Sequence, residues 1–362
     1  GRRMRVASST AAREICLEQT VELPDGLVPP GDIREHIVGR IEAFASVGDG
    51  IYRADISYAV ELSGFELPQL LNVVFGNTAM KANIRVVRLD LPDVLLGAFK
   101  GPRFGREGLR DLLGAPHRAL LGTALKPVGF PAHELARFAH DFALGGVDVI
   151  KDDHGLANQP IADFYERTRR CAEAVAEANL QSGGRSIYVP NVSGPVASIF
   201  DRAMFAKEAG VGGIEVAPGL VSYDVMRQLA EDDRLSLPVF SHPALLGAYL
   251  ISPGHGFSYF ALHGQIARLA GADAVIYTNY GGRFPTTPQD CRDLAAGTLT
   301  PMSHFKTSFP MPGGGMSLDR APEMVEFYDR GVILLISGGL FEAGPDLIDN
   351  ARRFRELVEK MG

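Results

Sequence analysis

Lys151, Asp152, Asp153 and His154 stand in a row at the end of an apolar run, which sets an amine, two carboxylates and an imidazole side by side. Oxygen and nitrogen donors at this density suit a divalent cation, with Lys151, Asp153 and His154 as the ligand group and a further ligand or several waters completing it. A solvated polar turn is the ordinary use of such a triplet; its place directly after a buried strand favours the metal. Lys126 closes another apolar run, just before Pro127. Partial desolvation there favours the neutral amine that a general base needs, and the plainer alternative is a rim lysine in a surface ion pair. Gly313-Gly314-Gly315 and Ser337-Gly338-Gly339 follow two further apolar runs. Glycine lets backbone N–H groups approach an anion such as phosphate closely, or simply makes a turn. Asn191, His242 and Arg283 close other strands and complete the set.

These residues share a rhythm. From about residue 116 the chain alternates, eight times, a short β-branched or aliphatic strand with a helix of 3.6-residue period. The expected strands are Leu120–Lys126, Val147–Lys151, Ser186–Pro190, Gly213–Ala217, Pro238–His242, Ala274–Thr278, Phe305–Phe309 and Val332–Ile336. Among the helices expected between them are Ala132–Leu144, Ile161–Ala178, Tyr259–Ala270 and Pro345–Glu359. Strands joined by helical crossovers are parallel, and eight of them in about 245 residues match a (βα)8 TIM barrel. An open doubly wound sheet would carry a glycine-rich turn after its first strand, where this chain has Lys126-Pro127. In a barrel the strand ends converge on one mouth, and the loops after the seventh and eighth strands commonly hold phosphate.

Residues 1–115 break the rhythm and read as a smaller α+β domain of ferredoxin-like type, leaving 116–362 as the catalytic barrel. Cys16–Leu23 reads as a strand, His36–Ala45 with Gly50–Val60 as a hairpin, Leu67–Phe75 as a helix and Asn83–Leu89 as another strand. Composition agrees with a large globular enzyme, at 46% hydrophobic and 22% charged residues over 362. A net charge of −7 argues against nucleic acid as a partner. No run approaches the ~18 apolar residues of a membrane span and no signal core follows Arg2-Arg3, so a cytoplasmic protein without membrane contact is expected. Cys16, Cys171 and Cys291 are odd in number and lack metal spacing, as reduced thiols would be.

Gly122-Thr123-Ala124-Leu125-Lys126-Pro127, then Gly145-Gly146 through Lys151-Asp152-Asp153, then Asn158-Gln159-Pro160, resemble the ribulose bisphosphate carboxylase large subunit in order and spacing. Phe75-Gly76-Asn77 resembles that family's N-domain active-site asparagine. The resemblance implies Lys126 as the base for proton abstraction and Lys151 as a lysine carbamylated by CO2 into an anionic Mg2+ ligand. It implies Asp153 as the second ligand, with His154 in the place of the family's glutamate. Asn191 and His242 fall where the family has an active-site asparagine and histidine, and the two glycine turns fall on its phosphate loops. It also implies a homodimer with a shared active site, in which Asn77 acts at the partner's barrel mouth.

The departures narrow the chemistry. The family's second lysine after the first strand is Val128, and its arginine and second histidine near the fifth strand are Pro243 and Leu246. The sixth loop reads Asn279-Tyr280-Gly281-Gly282-Arg283, without the lysine that polarises CO2, and Glu42 is only a weak counterpart of the N-terminal glutamate. This pattern resembles the form IV, RuBisCO-like proteins, which implies metal-dependent enolisation of a phosphorylated ketose without CO2 fixation. The first reading is 5-methylthioribulose-1-phosphate isomerase of sulfur salvage, with Val128 and Leu246 accommodating a methylthio tail. A decarboxylase of a 3-oxo sugar-acid phosphate and a diketo-methylthiopentyl-phosphate enolase follow. A non-catalytic barrel comes last, because Lys126, Lys151 and Asp153 are all retained. An imidazole in place of a carboxylate softens the site, so Mn2+ or Co2+ is expected to serve as well as Mg2+; alternatively His154 shuttles protons. His255 reads as structural, and His36, His133, His140 and His263 as helix or surface residues.

Overall fold

Met4 and Val6 turn inward while Arg3 and Arg5 turn outward, the alternation of a half-buried strand, and residues 2–6 form β1 (Arg2–Val6) in a computed structural model that describes residues 1–361. β1 pairs antiparallel with β3 (Ile51–Ser57) and β4 (Arg85–Leu89), and β2 (Arg40–Gly48) pairs antiparallel with β3 across a turn at Asp49-Gly50. Arg2 and Arg3 thus belong to a strand. Arg2 is buried with its guanidinium 4.8 Å from the Tyr58 ring centroid and donating to the Tyr58 hydroxyl.

The strand expected at Cys16–Leu23 does not exist. Ser8 caps a helix, Ser9–Glu18, by accepting the Ala11 N–H, and Ala12, Ile15 and Cys16 make its buried stripe. These three fall at i, i+3 and i+4, a helical spacing that β-branched content had masked. The helix Leu67–Phe75 forms as expected, with Pro68 in its first turn where the missing N–H costs no helical bond.

Eight parallel strands form the second half: β5 (Leu120–Leu125), β6 (Val149–Asp152), β7 (Ile187–Val189), β8 (Ile214–Val216), β9 (Val239–Ser241), β11 (Ala274–Thr278), β12 (Phe309–Gly313) and β13 (Ile333–Leu335). Ladders run in the orders β13-β5-β6-β7 and β12-β11-β9-β8. An Asn191–Glu215 bridge joins β7 to β8, and β12 lies beside β13, closing a TIM barrel. A further short strand from the barrel's fifth loop, β10 (Gly256–Phe257), pairs parallel with β4 and extends the N-terminal sheet to β10-β4-β1-β3-β2.

The seventh strand begins where it was expected to end, at Phe309. The Phe309 N–H donates to Asp273 O on the β11 side, so Pro310 and Pro312 face β13, with which β12 makes no ladder. Both prolines are therefore tolerated within the strand, since neither is asked for a donor. Behind the barrel the helix expected at Tyr259–Ala270 is mostly a wide π-turn, Phe260–Ile266, in which Gly264 lies so close to Gly297 that a Cβ would meet backbone at 2.5 Å. Alternate strand residues such as Leu120, Val149, Ile187, Phe240, Phe309 and Ile333 fill the barrel interior, and Leu109 and Leu113 of the helix Gly105–Leu113 join them. Among the described residues no helix is long and apolar enough to cross a membrane, and the three cysteines are free and buried.

Candidate active site

Strand alternation decides which residues reach the mouth. Val149 packs in the barrel interior and Ile150 in the outer core, so Lys151 and Asp153 continue the inward face of β6 while Asp152 turns outward. Lys126 follows β5 in the same phase as Leu120, and His242 follows β9 in the phase of Phe240. These side chains and His154 line one side of a cavity of about 760 Å³; Arg283, Gly313 to Gly315 and Ser337 to Gly339 line the other. Ser337 is tied to β5 by accepting the Ala124 N–H at 2.9 Å.

Lys126 Nζ lies 2.8 Å from Asp153 Oδ1. Burial raises the Asp153 carboxyl, but hydrogen bonds from His154 and Lys126 and the charge of Lys151 outweigh it and hold the group well below the usual carboxylate range. His154 Nδ1 is 3.6 Å from Asp153, and its ring stacks on His242 with centroids 4.5 Å apart and planes at 15°. His242 Nδ1 accepts the Ala244 N–H at 3.1 Å, which puts the proton of the neutral ring on Nε2. Burial first, then the charges of Lys151 and His154, push His242 well below an ordinary histidine, so it stands neutral at pH 7.

Lys151 sits at the cavity floor, its Nζ 2.7 Å from Glu215 Oε2 and donating to the Asp152 carbonyl. Glu215 is fully buried, and although it is within ion-pair distance of Lys151 neither carboxylate oxygen has a partner in hydrogen-bonding direction. Burial, only partly offset by Lys151, pushes Glu215 up to about 7. Nothing in the motif reading pointed to this residue. A signal was present: a lone carboxylate in the apolar strand Gly213-Ile214-Glu215-Val216-Ala217, at the inward phase.

Not every expected residue arrives at the cavity. Asn191 lies outside its lining, and its amide is committed elsewhere: Nδ2 donates to the His154 and Leu156 carbonyls at 3.0 and 3.1 Å, and Oδ1 accepts the Ser193 N–H. It shapes the loop that carries His154. Asn77 donates to Glu18 Oε1 at 3.2 Å in its own N-terminal layer, away from this chain's cavity. Val128 and Leu246, expected to make the apolar wall, do not line it. That wall comes from Leu245, Ala248 and Ile251 instead, with Leu245 held at a positive φ of 68°. His263 lies in the helical turn Phe260–Ile266, not at the surface: it is buried, lines the cavity and is pushed down to about 4 by that burial. His255 packs on Phe75 at 5.5 Å.

Asp153 and His154 offer two candidate donors, and among the described residues no cluster of three or more His, Cys, Asp or Glu could hold a metal ion. The donor set would fit a divalent cation only if Lys151 contributed an anionic oxygen of its own. Two features of the floor favour positive charge there: the Lys126 ammonium already rests on Asp153, and the Glu215 carboxylate is buried without a hydrogen-bond donor.

The sequence profile described as ribulose bisphosphate carboxylase large chain, catalytic domain, matches residues 105–344. The chain belongs to that family, on its RuBisCO-like (form IV) branch. It is 37% identical over 344 residues, 95% of this chain and 90% of the other, to a protein named 5-methylthioribulose-1-phosphate isomerase from Rhodospirillum rubrum. It is 29% identical, over 88% of this chain and 79% of the other, to a 2,3-diketo-5-methylthiopentyl-1-phosphate enolase from Bacillus pumilus. The solved structure of a Rubisco-like protein from Rhodopseudomonas palustris superposes with a TM-score of 0.90 at 37% identity, over 100% of this chain and 97% of that one. The family membership, the barrel with its antiparallel N-terminal sheet and an enzyme of RuBisCO-like type stand on these matches.

Proposed function

We propose that this RuBisCO-like protein enolises a phosphorylated ketose without fixing CO2, and that its reaction is the isomerisation of 5-methylthioribulose 1-phosphate. The observation that carries this reading is the Lys126–Asp153 contact at 2.8 Å on one wall of a cavity whose other wall holds Arg283 and the two glycine turns. Lys126, whose amine lines the cavity, takes a proton from the carbon beside the substrate carbonyl; a cation held by Asp153 would free that amine from its ion pair. His242, neutral with its proton on Nε2, donates to a substrate oxygen and keeps the developing oxyanion in register. The substrate phosphate lies against the Arg283 guanidinium and the N–H groups of Gly313 to Gly315 and Gly338-Gly339, and the methylthio end against Leu245, Ala248 and Ile251. A divalent cation on carbamylated Lys151, Asp153 and His154, Mg2+ or the softer Mn2+ or Co2+, would polarise the carbonyl. Isomerisation returns the abstracted proton to a neighbouring carbon, so no co-substrate is consumed.

Asn77 completes the site in this reading by acting across a two-fold homodimer, since within one chain it is held by Glu18. The diketo-methylthiopentyl-phosphate enolase is the second reading, because the same base and the same apolar wall serve a substrate with the same tail.

Proton NMR of 5-methylthioribulose 1-phosphate in D2O with the protein, Mg2+ and bicarbonate tests the proposal. Deuterium uptake with a new pentulose phosphate, abolished in Lys126→Ala, is expected. Unchanged substrate would discard the isomerase, and turnover of the 2,3-diketo phosphate in its place would establish the enolase.

A further inference from the structure

The loop after β11 and the loop after β12 both line the cavity, and they are fastened together at three levels. At the base, Asn279 is buried, donates Nδ2–H to Met316 Sδ at 3.1 Å and Met324 Sδ at 2.8 Å, and accepts the Tyr328 hydroxyl at 2.6 Å. In the middle, Gly282 lies against Gly314 so tightly that a Cβ would meet the Gly314 carbonyl at 2.3 Å, and the Arg283 N–H donates to that same carbonyl at 3.4 Å. At the outer edge, Arg320 Nη1 donates to the Tyr280 carbonyl at 3.0 Å while its guanidinium lies over the Tyr280 ring at 5.2 Å. The Tyr280 hydroxyl donates to Glu323 Oε1 at 2.8 Å, and Glu323 Oε2 pairs with Arg320 Nε at 3.2 Å, closing the ring of contacts.

We infer that Arg320, Tyr280 and Glu323 form a clasp that locks the β11 loop onto the β12 loop, so that Arg283 and Gly313 to Gly315 make one preformed anion-binding wall. Arg320 and Glu323 stay outside the cavity lining; they are positioning residues. The physical basis is entropic. A guanidinium held on a fixed loop loses less freedom on meeting a phosphate than one carried by a loop that must first close. The β11 loop is then held against the β12 loop before any anion arrives. This rests on the phosphate reading of Arg283 and the glycine turns, and the test separates the two.

Inorganic phosphate binding by calorimetry and backbone hydrogen exchange of residues 279–286 are to be compared in the wild-type chain, Arg320→Ala and Tyr280→Phe. The wild-type loop should exchange slowly and bind phosphate. Arg320→Ala should weaken phosphate about tenfold and speed exchange in this segment alone, with the melting temperature nearly unchanged. Tyr280→Phe keeps the ring under Arg320 and the carbonyl bond, so most of the binding should survive. With substrate, Arg320→Ala should raise KM with little change in kcat. Fast exchange in the wild type, or an Arg320→Ala chain with wild-type exchange, would overturn the clasp. If exchange speeds up in Arg320→Ala but the wild type never binds phosphate, the clasp stands as a structural lock and the preformed anion wall falls.

Discussion

The two sides of the barrel mouth are built from different material. On the side of β5, β6 and β9 the surface carries ionisable side chains, with Lys126, Lys151, Asp153 and His242 aimed by strand alternation and His154 placed by the loop that follows β6. On the side of β11, β12 and β13 it carries the glycine turns Gly313 to Gly315 and Gly338-Gly339 and one guanidinium, Arg283, among side chains such as Thr278, Phe284, Met316 and Leu335. The first side depends on residue type and on the hidden groups that aim it, the second on glycine turns that bring backbone close to the cavity. A change of charge should therefore be felt on the first side as lost chemistry or lost stability, and a change of volume on the second as lost binding.

The largest expected effect is metal removal: chelation of the activated protein should abolish turnover, with Mn2+ or Co2+ restoring it at least as well as Mg2+. A strict Mg2+ requirement would break the link between His154 and a softer site. Next in size is Asp152, which stands between Lys151 and Asp153 in the sequence but faces the helices. It accepts from Arg167 Nε at 3.2 Å, the Tyr188 hydroxyl at 2.7 Å and the Asn191 N–H at 3.1 Å, with Arg167 fully buried. Asp152→Ala leaves that guanidinium unpaired and should cost about 3–5 kcal/mol in denaturant unfolding. A loss of activity at full stability would instead place Asp152 in the mouth. The smallest effect belongs to the backbone side. Gly314 has a φ of +83°, where an L-residue is strained by roughly 1–2 kcal/mol, so Gly314→Ala should raise KM for the phosphorylated substrate severalfold and leave kcat nearly intact. An equal fall in kcat would show that this wall also takes part in the chemical step.

Legibility followed the same divide. The helices Leu67–Phe75 and Ala132–Leu144 and the strand Ala274–Thr278 form just where periodicity placed them, because each buries one continuous apolar stripe or run. β1 was missed since its charged residues alternate with buried ones in only five positions. Ser9–Glu18 was masked by cysteine and branched residues that suit either state, and β12 by prolines whose missing donors matter only if a neighbour needs them.

The sequence by itself determined the eightfold strand–helix rhythm and the order of Lys126, Lys151-Asp152-Asp153-His154 and the glycine turns, because period and spacing are local properties of a chain. Only the tertiary structure decided that Asp152 turns away while Asp153 meets Lys126, that Glu215 lies under Lys151, that Asn191 is consumed by the His154 loop, and that Arg320 fastens Tyr280. Each of these depends on which neighbour a side chain meets across strands or loops distant in sequence, and that is fixed by ring closure and packing.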